Sequence, residues 1–234
     1  MAIESPARGP GPIEHPLQWG QAPEWASEWG HDEFGPFAVL ELRDEGARGE
    51  SGAVARQRFR YIPPGTFVMG SPADEPGRYD DEGPQHLVTL TRGFWMADTP
   101  CTQGVWRAVM GGNPSRFQAD QHPVEKVSWD TVQKFLNALN ARVPGLEVTL
   151  PTEAQWEYAC RADSRTALYP SAKGDGTLKI LGENNAPALN AIAWYGGNSE
   201  APQGIGNAAY SGKWPEKALQ HKRASTQPVA GKLA

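Results

Sequence analysis

The two cysteines of this chain, Cys101 and Cys160, offer the most distinctive chemistry, because a thiolate can act as a nucleophile, a redox group or a metal ligand. Activation of a thiol usually needs a helix N-terminus, a nearby cation or a metal. Cys160 lies four residues after Trp156, inside a helix predicted from Thr152, and the adjacent Arg161 is expected on another helical face. Since free cysteine is often buried, we predict that both thiols fill space in the core.

Other residue types that bind metals show no recognised spacing. The histidines lack a His-x-x-x-His pair, so neither zinc nor non-haem iron is predicted. An acidic loop could bind calcium, but it lacks the spacing of an EF-hand, and a solvated charged loop is the preferred interpretation. The histidines are His15, His31, His86, His122 and His221, and the acids are Asp74, Glu75, Asp80, Asp81 and Glu82.

The last third of the chain carries aromatic and asparagine side chains that suit either binding or structure. Trp194, Tyr195 and Trp214 could line a binding surface or act as buried anchors, and we take them as the candidate binding residues. The asparagines there could ligate a hard cation or form turns. They are Asn184, Asn185, Asn190, Asn198 and Asn207. No catalytic residue and no metal ligand is predicted.

Composition limits the class of protein. The net charge is −5 and the basic residues are scattered, which argues against a nucleic-acid partner. No apolar run approaches the roughly 18 residues of a membrane span, and the polar, proline-rich start lacks the layout of a secretory signal. Two cysteines without a Cys-x-x-Cys pair favour a reduced cytoplasmic setting, with a single bridge between them as the alternative. The 26 Gly, 21 Pro and 9 Trp residues indicate a loop-rich fold with aromatic anchors.

The elements that would position these residues are short. Residues 1–35 are predicted to be an extended arm whose indoles, at Trp19, Trp25 and Trp29, dock on the main body. Alternation predicts a strand over 37–43 and a second one from Gln57, forming a hairpin with a long loop. Further strand character follows over 65–71, closed by Gly70, and again from 86.

Three helices are predicted next. Thr102 caps the first, which ends at Gly111, and Ser128 opens the second. Thr152 and Gln155 form a capping box for the third. The second helix has one apolar face, formed by Val132, Phe135, Leu136 and Leu139. About 66 residues after the third helix show few regular signals; they are either functional loop or disorder, and their aromatics argue against disorder.

Several motifs then occur in a recognisable order: "RYIPPGTFVMGSP", "HPVEKVSWDTVQKFLNALN" and "LPTEAQWEYACRA". Their order and spacing resemble the sulfatase-modifying, or formylglycine-generating, enzyme family. The resemblance is strong over residues 57–162 and weaker through "NAIAWYGGNS" and "TQPVAGK". It implies an α+β, C-type-lectin-like, loop-rich fold over residues 36–234, incomplete at the C-terminus.

The resemblance also implies relatives with several roles. Some oxidise a substrate cysteine to formylglycine with copper and oxygen, some belong to iron-dependent sulfoxide synthases, and others use the fold only to bind. Neither Cys101 nor Cys160 matches the copper-binding cysteine positions, so no catalytic residue carries over and no cofactor is expected in this chain. Copper and calcium occur in the family, and Asn190 falls near one of its calcium ligands.

Three hypotheses for function remain open at this point. The chain is part of a formylglycine-generating-type enzyme that is inactive alone and is completed by a C-terminal segment. Alternatively, it is a non-catalytic lectin-like module that recognises a protein or a small ligand. The third hypothesis is a poorly folded remnant, because uncovered apolar faces would remove about 10 kcal/mol of burial.

Overall fold

The computed structural model describes residues 1–4, 22–43, 53–168 and 176–232. The chain divides into two compact units. The first unit comprises Met1–Gly65 and Leu90–Pro151, and the second unit comprises Thr66–Thr89 and Thr152–Ala234.

Strands and helices are short in both units. The strands are β1 (Ala2–Glu4), β2 (Glu28–Asp32), β3 (Gly35–Arg43), β4 (Val54–Ile62), β5 (Gly65–Met69), β6 (His86–Leu90), β7 (Phe94–Ala97), β8 (Ala209–Tyr210) and β9 (Arg223–Ala224). The helices are α1 (Gln103–Met110), α2 (Trp129–Arg142) and α3 (Glu153–Arg161). This α+β composition agrees with the predicted class, and all three predicted helices are present.

The first unit is built on an antiparallel sheet of five strands in the order β1-β7-β4-β3-β2. The predicted hairpin is present, with Phe37 opposite Arg60 and Arg43 opposite Val54. β1 and β2 lie within residues 1–35, so these segments belong to the sheet, although we predicted an arm without strand period. Local alternation missed them because β1 has three residues and β2 is a largely exposed edge strand.

The core of the first unit lies between this sheet and the helices α1 and α2. Trp106 of α1 stacks on Phe135 of α2 with ring centroids 4.8 Å apart. Trp25 is buried edge-on against Phe59 and Trp95, as expected of a docked indole. The predicted apolar face of α2 is confirmed: Phe135, Leu136 and Leu139 are buried and Val132 packs beside them. Trp29 is partly exposed, and Trp19 lies outside the described residues.

Each helix begins at the predicted cap. The side-chain oxygens of Thr102, Ser128 and Thr152 accept hydrogen bonds from backbone N–H groups in the first turn of α1, α2 and α3. Gln155 completes the capping box of α3, and Gly111 ends α1 in the left-handed conformation. These caps satisfy backbone donors that a short helix would otherwise leave unpaired.

The second unit contains the β5–β6 and β8–β9 pairs, α3 and a 3-10 turn over Pro187–Ala191. Its described part buries few apolar side chains, namely Phe67, Ala186, Ile205 and Ala224, and α3 buries none of its own residues. Hydrogen bonds hold much of the irregular chain. The buried Lys217 ammonium donates to the carbonyl oxygens of Ser211 (2.7 Å) and His221, and the Ser211 hydroxyl contacts His221 Nδ1 at 2.7 Å.

Across the described ranges of both units, no helix has the length and apolar character that crossing a bilayer requires.

Candidate functional site

A pocket of about 830 Å³ lies within the second unit. The end of β5, the loop leading to β6, one face of α3, the segment 164–168 and the 3-10 turn region near Ile192 surround it. Its volume is in the range of pockets that bind ligands. This pocket is the candidate functional site.

One continuous face of α3 forms a wall of the pocket. Its residues follow the i, i+3, i+4, i+7, i+8 spacing that places side chains on the same side of a helix. This face lines the pocket, while Tyr158 on another side of the helix packs against Phe67. The residues are Glu153, Trp156, Glu157, Cys160 and Arg161.

A closed set of hydrogen bonds joins α3 to the end of β5. Glu157 Oε1 accepts the backbone N–H of Gly70 (2.8 Å) and Arg161 Nε–H (2.7 Å), while Arg161 Nη2 donates to the carbonyl oxygen of Gly70 (2.8 Å). Gly70 has φ +95°, and a Cβ there would lie 2.6 Å from the carbonyl oxygen of Glu82. The Ser71 N–H donates to that same oxygen at 3.0 Å. These hydrogen bonds fix this side of the pocket, and the backbone conformation and close contact at Gly70 require a glycine there.

The pocket carries an excess of negative charge. Arg161 is neutralised by Glu157, whereas Glu75, Asp81 and Glu153 make no side-chain hydrogen bond or ion pair within the described ranges. Glu82 accepts the Tyr79 N–H at 2.9 Å, and this bond lowers the pKa of the Glu82 carboxyl. Three carboxylates thus remain available to a ligand.

Apolar side chains line the pocket beside these acids. Trp156 presents its indole with 58% of the residue exposed, and Leu168, Leu189 and Ile192 also contribute to the lining. A large indole left uncovered in a pocket is a feature of binding surfaces. The pocket therefore combines an apolar lining with unpaired carboxylates.

Cys160 does not pack in a core, contrary to the sequence-based expectation. It is exposed and lines the pocket, and Arg161, expected on another face, lines the same pocket. Partial burial of the sulfur raises the pKa of the Cys160 thiol; Arg161 opposes this effect and Glu157 adds to it. The physical reason for the error is that the packed side of α3 includes Tyr158, whose ring lies 5.3 Å from that of Phe67, whereas Cys160 lies on the side that faces the pocket.

Cys101 lies in the first unit, and its packing agrees better with the predicted core position. It packs beside the core, and its Sγ approaches the carbonyl oxygen of Thr102 at 3.7 Å. Burial raises the pKa of the Cys101 thiol to about 12. A thiol in this environment stays protonated at neutral pH.

Cys101, Cys160 and Asn190 are the residues to consider for the metals found in the family that the sequence resembles. Cys101 belongs to the first unit and Cys160 to the second, and burial raises the pKa of both thiols. Around Asn190, the amide oxygen already accepts Tyr195 Oη (3.0 Å) and Asn198 Nδ2 (3.3 Å). These hydrogen bonds hold Asn190 in a loop network. The described ranges hold no cluster of three or more His, Cys, Asp or Glu side chains arranged for a metal ion.

The three aromatic residues predicted to bind are not among the residues that line the pocket, although Trp194 directly follows the lining residue Ala193. Trp194 is 41% exposed, and the Lys232 ammonium lies over its ring, 3.6 Å from the ring centroid. Tyr195 is half-buried in the Asn190–Asn198 network, and Trp214 meets His221 edge-on at 6.2 Å. Their role in binding stays a prediction.

Sequence reasoning missed the pocket although a signal was present. Three of the five acids in the loop expected to be merely solvated, Glu75, Asp81 and Glu82, line it. The helical spacing of Glu153, Trp156 and Cys160 already placed an acid, an indole and a thiol on one face. What the sequence could not indicate is that this face stays uncovered.

Comparison with known proteins gives one family and a few relatives. A family model described as "Sulfatase-modifying factor enzyme 1-like domain" matches residues 44–232. The chaperone protein LppX of Paenibacillus barcinonensis is 26% identical over 181 residues, which cover 63% of this chain and 57% of LppX. The formylglycine-generating enzyme of Mus musculus is 31% identical over 85 residues, covering 36% of this chain and 20% of that protein.

Among solved structures, PvdO from Pseudomonas aeruginosa is 22% identical with a TM-score of 0.47, covering 76% of this chain and 66% of PvdO. The chain thus spans between one fifth and two thirds of the length of these three relatives.

Proposed function

The chain belongs to the sulfatase-modifying factor enzyme 1-like family, and within that family we propose that it acts as a recognition domain for polypeptide, without oxidising cysteine on its own. Family membership confirms the resemblance that the motifs indicated, and with it the C-type-lectin-like α+β fold. The proposal concerns what the second unit does with its pocket.

The observation that carries the proposal is the uncovered pocket face of α3. A helix of nine residues with a capping box, but with no buried residue of its own, presents an exposed indole and unpaired acids to a pocket of about 830 Å³. Apolar surface of this kind gains about 25 cal/mol per Å² when a partner covers it. Binding of a polypeptide would supply that cover.

The relatives support a polypeptide as the ligand class. LppX, whose alignment covers 63% of this chain, is named a chaperone protein. A chaperone binds other polypeptides through surfaces that its own fold leaves open. The same role in this chain would use the face of α3 described above.

The thiols support the second half of the proposal. Oxidation of cysteine by the copper enzymes of the family relies on thiolate ligands, whereas both thiols here have raised pKa values. Cys160 lies beside Glu157, whose negative charge further disfavours the thiolate. The surroundings of neither thiol favour a free thiolate.

Selection from a phage-displayed random peptide library tests the recognition role. The selection is carried out on the native protein and on protein whose Cys160 carries a bulky maleimide adduct, which fills the pocket; a Cys101→Ser background ensures that only one thiol reacts. We expect peptides to be enriched on the unmodified protein and lost on the blocked protein. Equal enrichment on both proteins, or on neither, would contradict the proposal.

A separate assay tests the absence of oxidation. The purified chain is incubated with copper, oxygen and a cysteine-containing sulfatase peptide, and the peptide is analysed by mass spectrometry. We expect the thiol to remain unchanged. An aldehyde product above the level in a reaction without protein would overturn this part of the proposal.

A further inference from the structure

We infer that the occupant of the pocket is a basic polypeptide segment, in which arginine or lysine side chains alternate with large apolar ones. This inference rests on the proposed function and specifies its ligand. It follows from the charge of the pocket, from its lining and from the length of helix that lines it.

Charge selects a cationic ligand. Glu75, Asp81 and Glu153 lie around one pocket without ionic partners in the described part of the chain, while Arg161 is held by Glu157 and by the Gly70 carbonyl. An acidic ligand would meet repulsion there, and a neutral one would leave the carboxylates unpaired. Guanidinium and ammonium groups would pair with them, which favours basic partners in both rate and specificity.

The apolar lining selects large apolar side chains beside the cations. The exposed Trp156 indole can stack with an apolar group and also offers its face to a guanidinium. Leu168, Leu189 and Ile192 provide aliphatic contacts elsewhere in the lining. A ligand with charged groups but no apolar ones would leave these apolar surfaces in contact with water.

The extent of the exposed face points to a segment of chain as opposed to a small cation. The pocket residues of α3 run from Glu153 to Arg161, the whole helix, about 12 Å at 1.5 Å per residue. The described part of the second unit buries only a few apolar side chains. A polypeptide lying along α3 would cover the entire face, whereas a free amine would pair with one or two acids.

Fluorescence anisotropy with defined peptides tests the inference on the full chain. The probe is the labelled peptide GRWSRLGRWS; the comparison peptides are the acidic GEWSELGEWS and GRSSRSGRSS, which keeps the arginines without the large apolar groups. We expect the probe to bind and both comparison peptides to bind at least about tenfold more weakly.

Matched variants locate the contact. Glu75→Gln combined with Glu153→Gln should lower the affinity for the probe peptide by about tenfold, because two unpaired carboxylates are removed. Glu183→Gln removes an exposed acid of the same unit that does not line the pocket, and it should leave binding unchanged. Circular dichroism of each variant verifies that α3 is retained.

Three results would overturn the inference. They are equal binding of the acidic peptide, unchanged binding by the Glu75/Glu153 double variant, and complete displacement of the probe by submillimolar spermine, which would indicate a site for small cations. If library peptides require an unblocked Cys160 yet are not basic, the recognition role stands and this inference fails. If no peptide of any composition requires the pocket, the proposed function fails as well.

Discussion

At the scale of single residues, the two cysteines show how environment separates side chains of the same type. Cys101 packs beside the core of the first unit with a thiol pKa raised to about 12. Cys160 is exposed in the pocket of the second unit. Reactivity follows both thiolate fraction and access, so the two thiols should differ even though both pKa values are raised.

Alkylation of the native protein checks this difference. With iodoacetamide at pH 8.5, we expect Cys160 to be modified and Cys101 to remain free, as read by peptide mass spectrometry. Because its raised pKa keeps Cys160 mostly protonated near neutrality, its rate of modification should still increase above pH 8.5. Unfolding in guanidinium serves as the control, since both thiols should then react. Preferential modification of Cys101 in the native protein would contradict the assignment.

Gly70 provides a second residue-scale prediction. Gly70→Ala forces an alanine to φ +95° and drives its Cβ against the Glu82 carbonyl oxygen. We expect the free energy of unfolding to fall by about 1–3 kcal/mol. The measurement is urea unfolding followed by circular dichroism. Gly206→Ala, in the same unit and with nothing within 4 Å of the added Cβ, should stay within about 0.5 kcal/mol. Equal effects of the two changes would refute the close approach at Gly70.

At the scale of elements, α3 is a helix specified by its ends and left uncovered along one face. Its capping box was readable from Thr152 and Gln155 because capping depends on neighbours in sequence. The segments that contact the pocket-lining face of α3 could not be predicted from the sequence, because these contacts depend on residues far away along the chain. The same contrast explains why β1, which pairs with the distant β7, was not predicted. β2 pairs with β3, the next strand along the chain, and was missed because its largely exposed residues show no clean alternation.

Substitution of the indole separates binding from stability. Trp156→Ala removes a side chain that is mostly exposed in the free protein, so unfolding should change by less than about 1 kcal/mol. Binding of GRWSRLGRWS should weaken by about tenfold or more, as for other aromatic anchors. Tyr210→Ala, an exposed aromatic of β8 outside the pocket lining, is the control and should bind normally. A large loss of stability without a loss of binding would contradict our account of α3.

In the first unit, an ion pair at the β2–β3 turn gives a pH prediction. Arg60 forms a two-point contact with Asp32 at 2.6 and 3.0 Å, and this bond lowers the pKa of the Asp32 carboxyl to about 2. In the unfolded chain the pKa is about 3.9, so the unfolded state takes up the proton first as pH falls. The stabilisation is complete above about pH 4 and is lost towards pH 2.

Asp32→Asn should therefore lose less stability than the wild type between pH 4 and pH 2, measured by urea unfolding at each pH. Glu33→Gln, at an exposed neighbour without an ion pair in the described ranges, should follow the wild-type profile. A parallel decline in wild type and Asp32→Asn would show that this pair does not contribute.

At the scale of the whole molecule, the two units differ in how they are stabilised. The first unit has a sheet, two packed helices and an aromatic core, whereas the described part of the second unit relies on hydrogen bonds and a few buried apolar residues. Composition indicated a loop-rich protein with aromatic anchors, and the motifs indicated the family. Neither could show that the aromatic core lies in one unit while an acidic, apolar-lined pocket lies in the other.

This difference bears on the choice between a recognition domain and a poorly folded remnant. The first unit has a core of its own, and the second unit has closed hydrogen-bond networks at Glu157–Arg161–Gly70 and at Ser211–Lys217–His221. Trp156 of α3 leaves a large indole exposed at the pocket. A partner that covers α3 should therefore add stability to the second unit specifically.

Hydrogen–deuterium exchange with and without GRWSRLGRWS tests this account most directly. We predict that the amides of residues 153–161 and 69–86 gain protection when the peptide is bound, while the β3–β4 hairpin is unchanged. Strong protection of α3 in the free protein with no change on adding peptide would contradict it, as would protection confined to the sheet of the first unit.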